Sequence, residues 1–164
     1  MHLRQNIKIN EWSLEGCQNE DMSLLSELRV RAIMPSLKVV NRFEAIRVVQ
    51  RFTNDFQSEQ TYKIILDNNL AGFFVMEEED TYFYLPYFYI DPLSQDTQLG
   101  SLVLASLIEK AQAAKKGIQI CALKGCQTKQ FCLEQGFVYS HEETYDIYYE
   151  YHSDLIHNKR SEMA

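Results

Sequence analysis

Residues 87–112 read YFYIDPLSQDTQLGSLVLASLIEKAQ: an aromatic run, a polar turn and a long apolar-periodic segment in direct succession. Tyr87 to Ile90 carry side chains that suit a pleated, half-buried surface, so they end a strand. Asp91, Pro92 and Ser94 break it, because proline fixes its own φ and short polar side chains bond their own backbone. From Leu99 onward, Leu102, Val103, Ser106, Leu107 and Ala111 recur at three and four. That spacing predicts a helix to about Lys116, with Gly117 closing it in the left-handed conformation. Gly100 stands in the first turn of this helix, where glycine lowers helix propensity. Some other requirement holds it there.

Upstream, IKINEW (7–12) reads as a first strand, and NEDMSLLSELRVRAIM (19–34) places Met22, Leu25, Leu28, Ala32 and Ile33 on one helical face, with Pro35 just past its end. NRFEAIRVVQRFTNDF (41–56) is a second helix on Phe43, Ile46, Val49 and Phe56, N-capped by Asn41. TYKIILD (61–67) and LAGFFVMEE (70–78) meet at Asp67-Asn68-Asn69, a turn that tolerates positive φ and so predicts a hairpin. TYFYLPYFYI (81–90) follows an acidic turn at Glu78 to Asp80, and its period of two puts Tyr87 and Tyr89 on one face with Phe83 and Leu85. Pro86 cannot donate to a ladder, so a bulge or a local splay is expected there. Downstream come the strand IQICAL (118–123), the helix QTKQFCLEQ (127–135) ended by Gly136, and a final strand FVYSHEETYDIYYEY (137–151). The order of elements makes a mixed α/β or α+β sheet. One domain over 1–152 and a frayed tail over 153–164 are expected.

The chain has 164 residues, enough for one real core, and a net charge of −7. That charge argues against a nucleic-acid partner, which requires a concentrated basic surface. Cys17, Cys121, Cys126 and Cys132 form no C-x-x-C pair and have no histidine at metal-ligand spacing, so neither a metal nor a disulfide framework is indicated. No run approaches the 18 apolar residues of a membrane span. A cytoplasmic protein with reduced thiols is expected.

IDPLSQDTQLGSLVLASLI (90–108) and IQICALKGCQTKQFCLEQGFVY (118–139) together resemble the GNAT superfamily of acyl-coenzyme A dependent N-acyltransferases, and the resemblance extends over about Ile7 to Tyr151. It implies a mostly antiparallel central sheet flanked by about four helices, with a splayed pair of strands forming the cofactor cleft. In the family a Q/R-x-x-G-x-G/A turn opens the long helix. Gln95 takes the Q/R position, Gln98 stands in place of the first glycine, and Gly100 is the second. The resemblance implies that amides of Gln98, Leu99, Gly100 and Ser101 cradle the pyrophosphate of acetyl-coenzyme A, as unsatisfied first-turn amides can. A small residue would then let the backbone come close. If Gln98 must adopt positive φ, the strain is about 1 kcal/mol or more. Backbone groups of Phe88, Tyr89 and Ile90 would hold the pantetheine arm. The family's N-x-x-A-x-x-x-Y pattern before its Gly-Phe falls on Gly125, Thr128 and Cys132, the last in place of the tyrosine that protonates the departing thiolate.

Two readings stand beside each catalytic candidate. Cys132 is either that proton donor or a packed residue beside Phe131. Glu77, first of the acidic stretch ending at Asp80, is either the base that frees the amine's lone pair or part of a solvated turn. Tyr87 either lines the acceptor cleft, as Tyr89 would, or packs in the strand. His141 reads as a proton carrier or a solvent-facing turn residue. Tyr145, Tyr148, Tyr149 and Tyr151 close an acceptor pocket, form a homodimer surface, or pack. Glu44 and Arg47 lie where the family builds its acceptor wall.

The resemblance implies an N-acetyltransferase that moves an acetyl group from acetyl-coenzyme A to a primary amine by direct attack in a ternary complex. The amine would be on a small molecule or a peptide. The alternative is an impaired module that binds acyl-coenzyme A as a sensor or serves as a scaffold.

Overall fold

Asp67 and Asn68 both sit at positive φ, 50° and 70°, and turn β2 (Thr61–Leu66) tightly into β3 (Asn69–Glu78). This hairpin is the one read from the sequence, and the sheet grows from it. In the computed structural model, which describes residues 11–153 and of residues 96 and 97 the backbone alone, seven strands form one sheet in the order β1-β2-β3-β4-β5-β7-β6. The remaining strands are β1 (Trp12–Gly16), β4 (Tyr82–Ile90), β5 (Gly117–Leu123), β6 (Val138–Glu142) and β7 (Asp146–Tyr151). Neighbours are antiparallel throughout except β4 and β5, which run parallel. A parallel pair needs a crossover, and α4 (Leu99–Ala113) supplies it.

The sheet is covered on both faces. On one side α4 and α5 (Thr128–Glu134) enclose a core that includes Leu85, Phe88, Val103, Leu104, Ile120 and Phe131. On the other, α1 (Met22–Ala32), α2 (Met34–Leu37) and α3 (Arg42–Asp55) close over Leu25, Leu28, Val48, Phe52, Phe73 and Tyr87. Asn41 caps α3 as expected: its side chain accepts from Glu44 N–H at 2.9 Å, and Glu44 returns a bond to Asn41 N–H at 3.1 Å. A cap of this kind stabilises a helix by about 1 kcal/mol.

Several expectations change. The first strand lies at Trp12–Gly16 and shares only Trp12 with the expected segment, of which residues 7–10 fall outside the described residues, as do residues 154–164 of the tail. Pro35 stands just past the end of α1, as expected, and also in the first turn of α2, where a missing N–H is harmless. The buried face of α3 is Val48 and Phe52, while Phe43 and Ile46 are 74 % and 46 % exposed. Phe52 sets that register by packing its ring 5.1 Å from Phe73 and 5.2 Å from Tyr87.

Helix α4 stops at Ala113, and the left-handed residue behind it is Lys115 (φ 59°), not Gly117. Gly117 instead opens β5, where an added Cβ would lie 2.7 Å from the Tyr151 carbonyl oxygen. The last aromatic segment is a hairpin rather than one strand, with Glu143 N–H donating to the Asp146 carbonyl at 2.8 Å across the turn.

Candidate active site

Pro86 decides the geometry of the centre. β4 and β5 pair only from Tyr82↔Gly117 to Leu85↔Ile120, and the β3–β4 ladder shifts by one residue between Val75↔Tyr87 and Glu77↔Tyr84. A residue without an N–H cannot continue the ladder, so the strand bulges at Leu85–Pro86 and then leaves β5. The bulge also breaks the alternation read from the sequence. Phe83 and Leu85 face α4 together with Phe88 and Ile90, whereas Tyr87 and Tyr89 face α1 and α3.

Beyond the bulge, Phe88 and Ile90 turn their carbonyls into the gap between the two strands. Thr128 Oγ1 donates to the Phe88 oxygen at 3.1 Å, and Gln95 Nε2 donates to the Ile90 oxygen at 2.9 Å. The Tyr89 carbonyl faces the other way, 2.5 Å from where a Cβ on Gly72 would stand. Of the three residues expected to offer backbone groups to a pantetheine arm, only Phe88 and Ile90 point into the gap.

At the open end of the gap, Gln98 adopts the left-handed conformation (φ 64°, ψ 13°) immediately before α4. The strain foreseen for a non-glycine residue at this position is therefore present. No side chain caps the helix, whose first backbone bond runs from Leu102 N–H to the Gln98 carbonyl at 3.0 Å. Amides of Leu99, Gly100 and Ser101 thus lie in the first turn, without intrahelical partners. A cavity of about 420 Å³ adjoins this turn, lined by Gln95, Gln98 and Ser101 and by Gln127, Gln130 and Glu134 across from them. An uncapped start of a 15-residue helix fits the diphosphate of a coenzyme A. Glu134 opposes it: its carboxylate accepts from Ser101 Oγ at 2.8 Å and would have to swing away.

Gly100 has a packing reason of its own. It is buried, and a Cβ there would stand 2.8 Å from the Phe131 ring. Close packing of α4 on α5 holds this glycine. Gly125 (φ 89°) contributes backbone alone to the β5–α5 turn. Cys132 is fully buried in the apolar core, and burial pushes its thiol far above the ordinary range. A thiol so placed is a poor acid, and its burial favours packing over proton transfer.

The opposite face of the same strands carries a polar cluster. Glu77 on β3, Tyr84 and Tyr87 on β4, Cys121 on β5, and Asp146 and Tyr148 on β7 share this side through the pairs Glu77↔Tyr84, Val75↔Tyr87, Cys121↔Tyr148 and Leu123↔Asp146. Helix α3 adds Arg51 and Asp55. Arg51 donates twice to Asp146, at 2.8 and 3.0 Å. Burial disfavours the Arg51 charge, but the Asp146 carboxylate outweighs it and keeps the guanidinium protonated. Tyr87 donates to Asp55 Oδ2 at 2.7 Å, and burial followed by that carboxylate raises its pKa far above the ordinary value. Burial, with Asp146 next, pushes the Cys121 thiol up to about 12. Glu77 is half-buried, and its carboxyl is raised by that burial and then by Glu79 and Asp55. A carboxylate that holds protons more tightly than usual is a better base at neutral pH.

Glu77 and Tyr87 are thus brought to one side of the bulge. His141 stands at the rim of this cluster, an exposed ring paired across the β6–β7 ladder with Tyr148 and stacked on it at 4.4 Å. Sequence reasoning missed Arg29, Arg51, Asp55 and Asp146. For Arg29 a signal existed: it sits at the fourth position after Leu25, inside the apolar stripe Leu25, Leu28, Ala32, where a charge has no business unless something uses it. Among the described residues no group of His, Cys, Asp and Glu could hold a metal, and no helix is long and apolar enough to cross a membrane.

No family model matches the sequence, and no curated protein matches it either. Solved structures do match in shape. PaiA N-acetyltransferase from Thermoplasma acidophilum, in complex with coenzyme A, superposes with a TM-score of 0.68 at 12 % identity, over 87 % of this chain and 99 % of that one. A GNAT-family acetyltransferase from Bacillus anthracis gives 0.58 at 15 % identity, over 88 % and 95 %. A ribosomal-protein alanine N-acetyltransferase from Escherichia coli gives 0.59 at 13 % identity, over 85 % and 91 %.

Proposed function

From the GNAT fold, which the chain has in its mixed sheet and the five α-helices of the described residues, we propose an acyl-coenzyme A dependent N-acyltransferase that passes an acetyl group from acetyl-coenzyme A to an amine. One observation carries the reading: a single gap between β4 and β5 has an uncapped helix start at its open end and a carboxylate–tyrosine cluster on the other face. Donor and acceptor can therefore reach the same bulge from opposite sides. The coenzyme A complex of the Thermoplasma structure lends support to the donor.

In this reading the pantetheine arm lies against Phe88 and Ile90 and exchanges with the donors from Thr128 and Gln95. The diphosphate takes the amides of Leu99, Gly100 and Ser101, with Gln98 beside it. Glu77 removes the proton from the bound ammonium, directly or through a water, so that the nitrogen has a lone pair to attack the thioester carbonyl. Tyr87, fixed by Asp55, lines the approach. The tetrahedral adduct collapses to the amide with loss of the coenzyme A thiolate; the second proton of the attacking nitrogen passes through water to that thiolate, so that Glu77 keeps the one proton released overall.

Calorimetric titration of the protein with acetyl-coenzyme A, with adenosine diphosphate as control, tests the donor site. Thiol release on addition of an amine panel tests transfer. A ligand at about 100 times its Kd stabilises by about 2.7 kcal/mol, a shift of roughly 5 to 10 °C for a domain of this size. No binding heat and no thermal shift with acetyl-coenzyme A would remove the proposal.

A further inference from the structure

Arg29 is the unexplained group of this fold. It is 1 % exposed, projects from the middle of α1 into the core beneath β4, and pairs with no carboxylate among the described residues. Its Nη1 donates to the Val48 carbonyl at 2.9 Å, while Nε and Nη2 have no hydrogen-bond partner. The guanidinium lies over two aromatic faces, 5.2 Å from the Tyr87 ring centre and 5.5 Å from that of Tyr89. Those faces attract the cation, and Arg29 lies close enough to the Tyr89 hydroxyl to offset part of what burial does to that phenol, but neither free N–H is within hydrogen-bond geometry of an acceptor. A buried charge left with two free donors is costly to the fold, and an apolar residue of the same size is often neutral or stabilising in such a place.

The identity of the two free donors is informative. Nε–H and the outer Nη2–H point in parallel along one edge of the planar guanidinium, and that edge is the fork that matches the two oxygens of a carboxylate. Its position is informative too. Tyr87 and Tyr89 belong to the strand that splays, and Tyr87 carries Asp55 on its hydroxyl, so Arg29 lies on the acceptor side of the gap. Val48, which takes the third donor, also lines a cavity of about 110 Å³ with Leu37, Val40, Leu123 and Tyr145. That is the share of about four waters in the liquid, enough for a short aliphatic group and too little for a folded partner.

We infer that Arg29 is the recognition group for a carboxylate on the acceptor, so that the amine acetylated here is that of a small amino acid or a similar amino-carboxylate. The inference rests on the acyltransferase reading and narrows it. The acceptor's carboxylate completes the fork once the covering side chains give way, since Nε and Nη2 are sealed from solvent and Arg29 does not itself line the cavity beside Val48; that cavity takes the short side chain, and the ammonium is left toward Glu77.

The test uses the full chain and matched probes: the common L-amino acids, each beside its own carboxamide, assayed by thiol release with acetyl-coenzyme A and by calorimetry. At least one acid is expected to bind and turn over, with its amide weaker by about 100-fold or more, since the amide carries no charge and sets an NH2 donor against one N–H of the fork, keeping only its carbonyl as an acceptor. Arg29→Met is expected to keep the melting temperature at or above that of the unsubstituted protein, to bind acetyl-coenzyme A unchanged, and to raise KM for the acid by the same factor. A purely structural arginine would leave that KM alone. Should Arg29→Met fail to fold, Arg29→Lys keeps the charge without the fork and is expected to lose the acid-over-amide preference. If acetyl-coenzyme A binds and no acid outperforms its amide, the inference is overturned while the acyltransferase reading survives. If acetyl-coenzyme A does not bind, both fall.

Discussion

Gly100→Ala separates two reasons for one glycine. In the structure a methyl group at this position would stand 2.8 to 2.9 Å from three carbons of the Phe131 ring, inside the separation that carbon atoms tolerate. Phe131 cannot retreat freely, because it packs edge-on to Phe88 at 6.2 Å and is itself buried. Overpacking of this kind costs about 1 to 3 kcal/mol. Alanine also gains about 0.5 to 1 kcal/mol of helix propensity over glycine. A net loss of about 1 to 2 kcal/mol should lower Tm by roughly 2 to 8 °C in a domain of this size. The assay is thermal unfolding of Gly100→Ala, of Phe131→Leu and of the double variant. Leucine opens room where the ring edge stood, so the double variant should be more stable than the sum of the two losses, with a coupling of about 1 kcal/mol. Affinity for acetyl-coenzyme A should change less than about threefold in any variant that remains folded. An alanine variant of unchanged stability that has lost coenzyme A binding would refute the packing account and restore the phosphate account of this glycine.

Glu134→Gln keeps a partner for Ser101 but removes a negative charge from the cavity beside α4, so affinity for coenzyme A should rise about fivefold by calorimetry at low salt. If Glu77 is the base, kcat/KM falls as pH drops and Glu77 takes up its proton, with a midpoint above the ordinary glutamate value of about 4.3 because burial, Glu79 and Asp55 all raise it. The same shift means that Glu77 favours the folded state at low pH, and that this contribution fades as pH climbs from the unfolded to the folded pKa. Glu77→Gln should abolish the acidic limb of the rate profile and flatten this part of the stability curve. Cys132→Ala should destabilise by about 1 to 2 kcal/mol through a small core cavity yet leave kcat within about a factor of two, as stopped assays on folded protein can read.

Elements governed by local chemistry were legible. The Asp67-Asn68 turn, the Asn41 cap and the strand–turn–helix joint at residues 87–112 each depend on residues adjacent in sequence, and each stands where periodicity and turn chemistry put it. Readings that needed tertiary information went astray. The face of α3 was misjudged because Phe43 and Val48 fit a helical stripe equally well until Phe73 and Tyr87 select one of them. The faces of β4 were merged because a bulge resets a period of two, although Pro86 had marked where the reset occurs. At the candidate site, Gln95, Gln98 and Ser101 were singled out by a motif, and the structure gathers them around one cavity. Asp55, Arg51 and Asp146 carry no local signal, since the Arg51–Asp146 pair spans 95 residues of sequence.

The bonds from Thr128 to Phe88 and from Gln95 to Ile90 have a consequence for the life of the protein without ligand. A splayed pair of strands in the middle of a sheet amounts to two interior edges, and exposed strand edges are templates on which other chains pair and aggregate. Here a hydroxyl and an amide from neighbouring segments occupy two carbonyls of that edge. The gap is thereby blunted as a natural edge strand would be, and the chain can wait for its donor without offering β4 to another copy of itself.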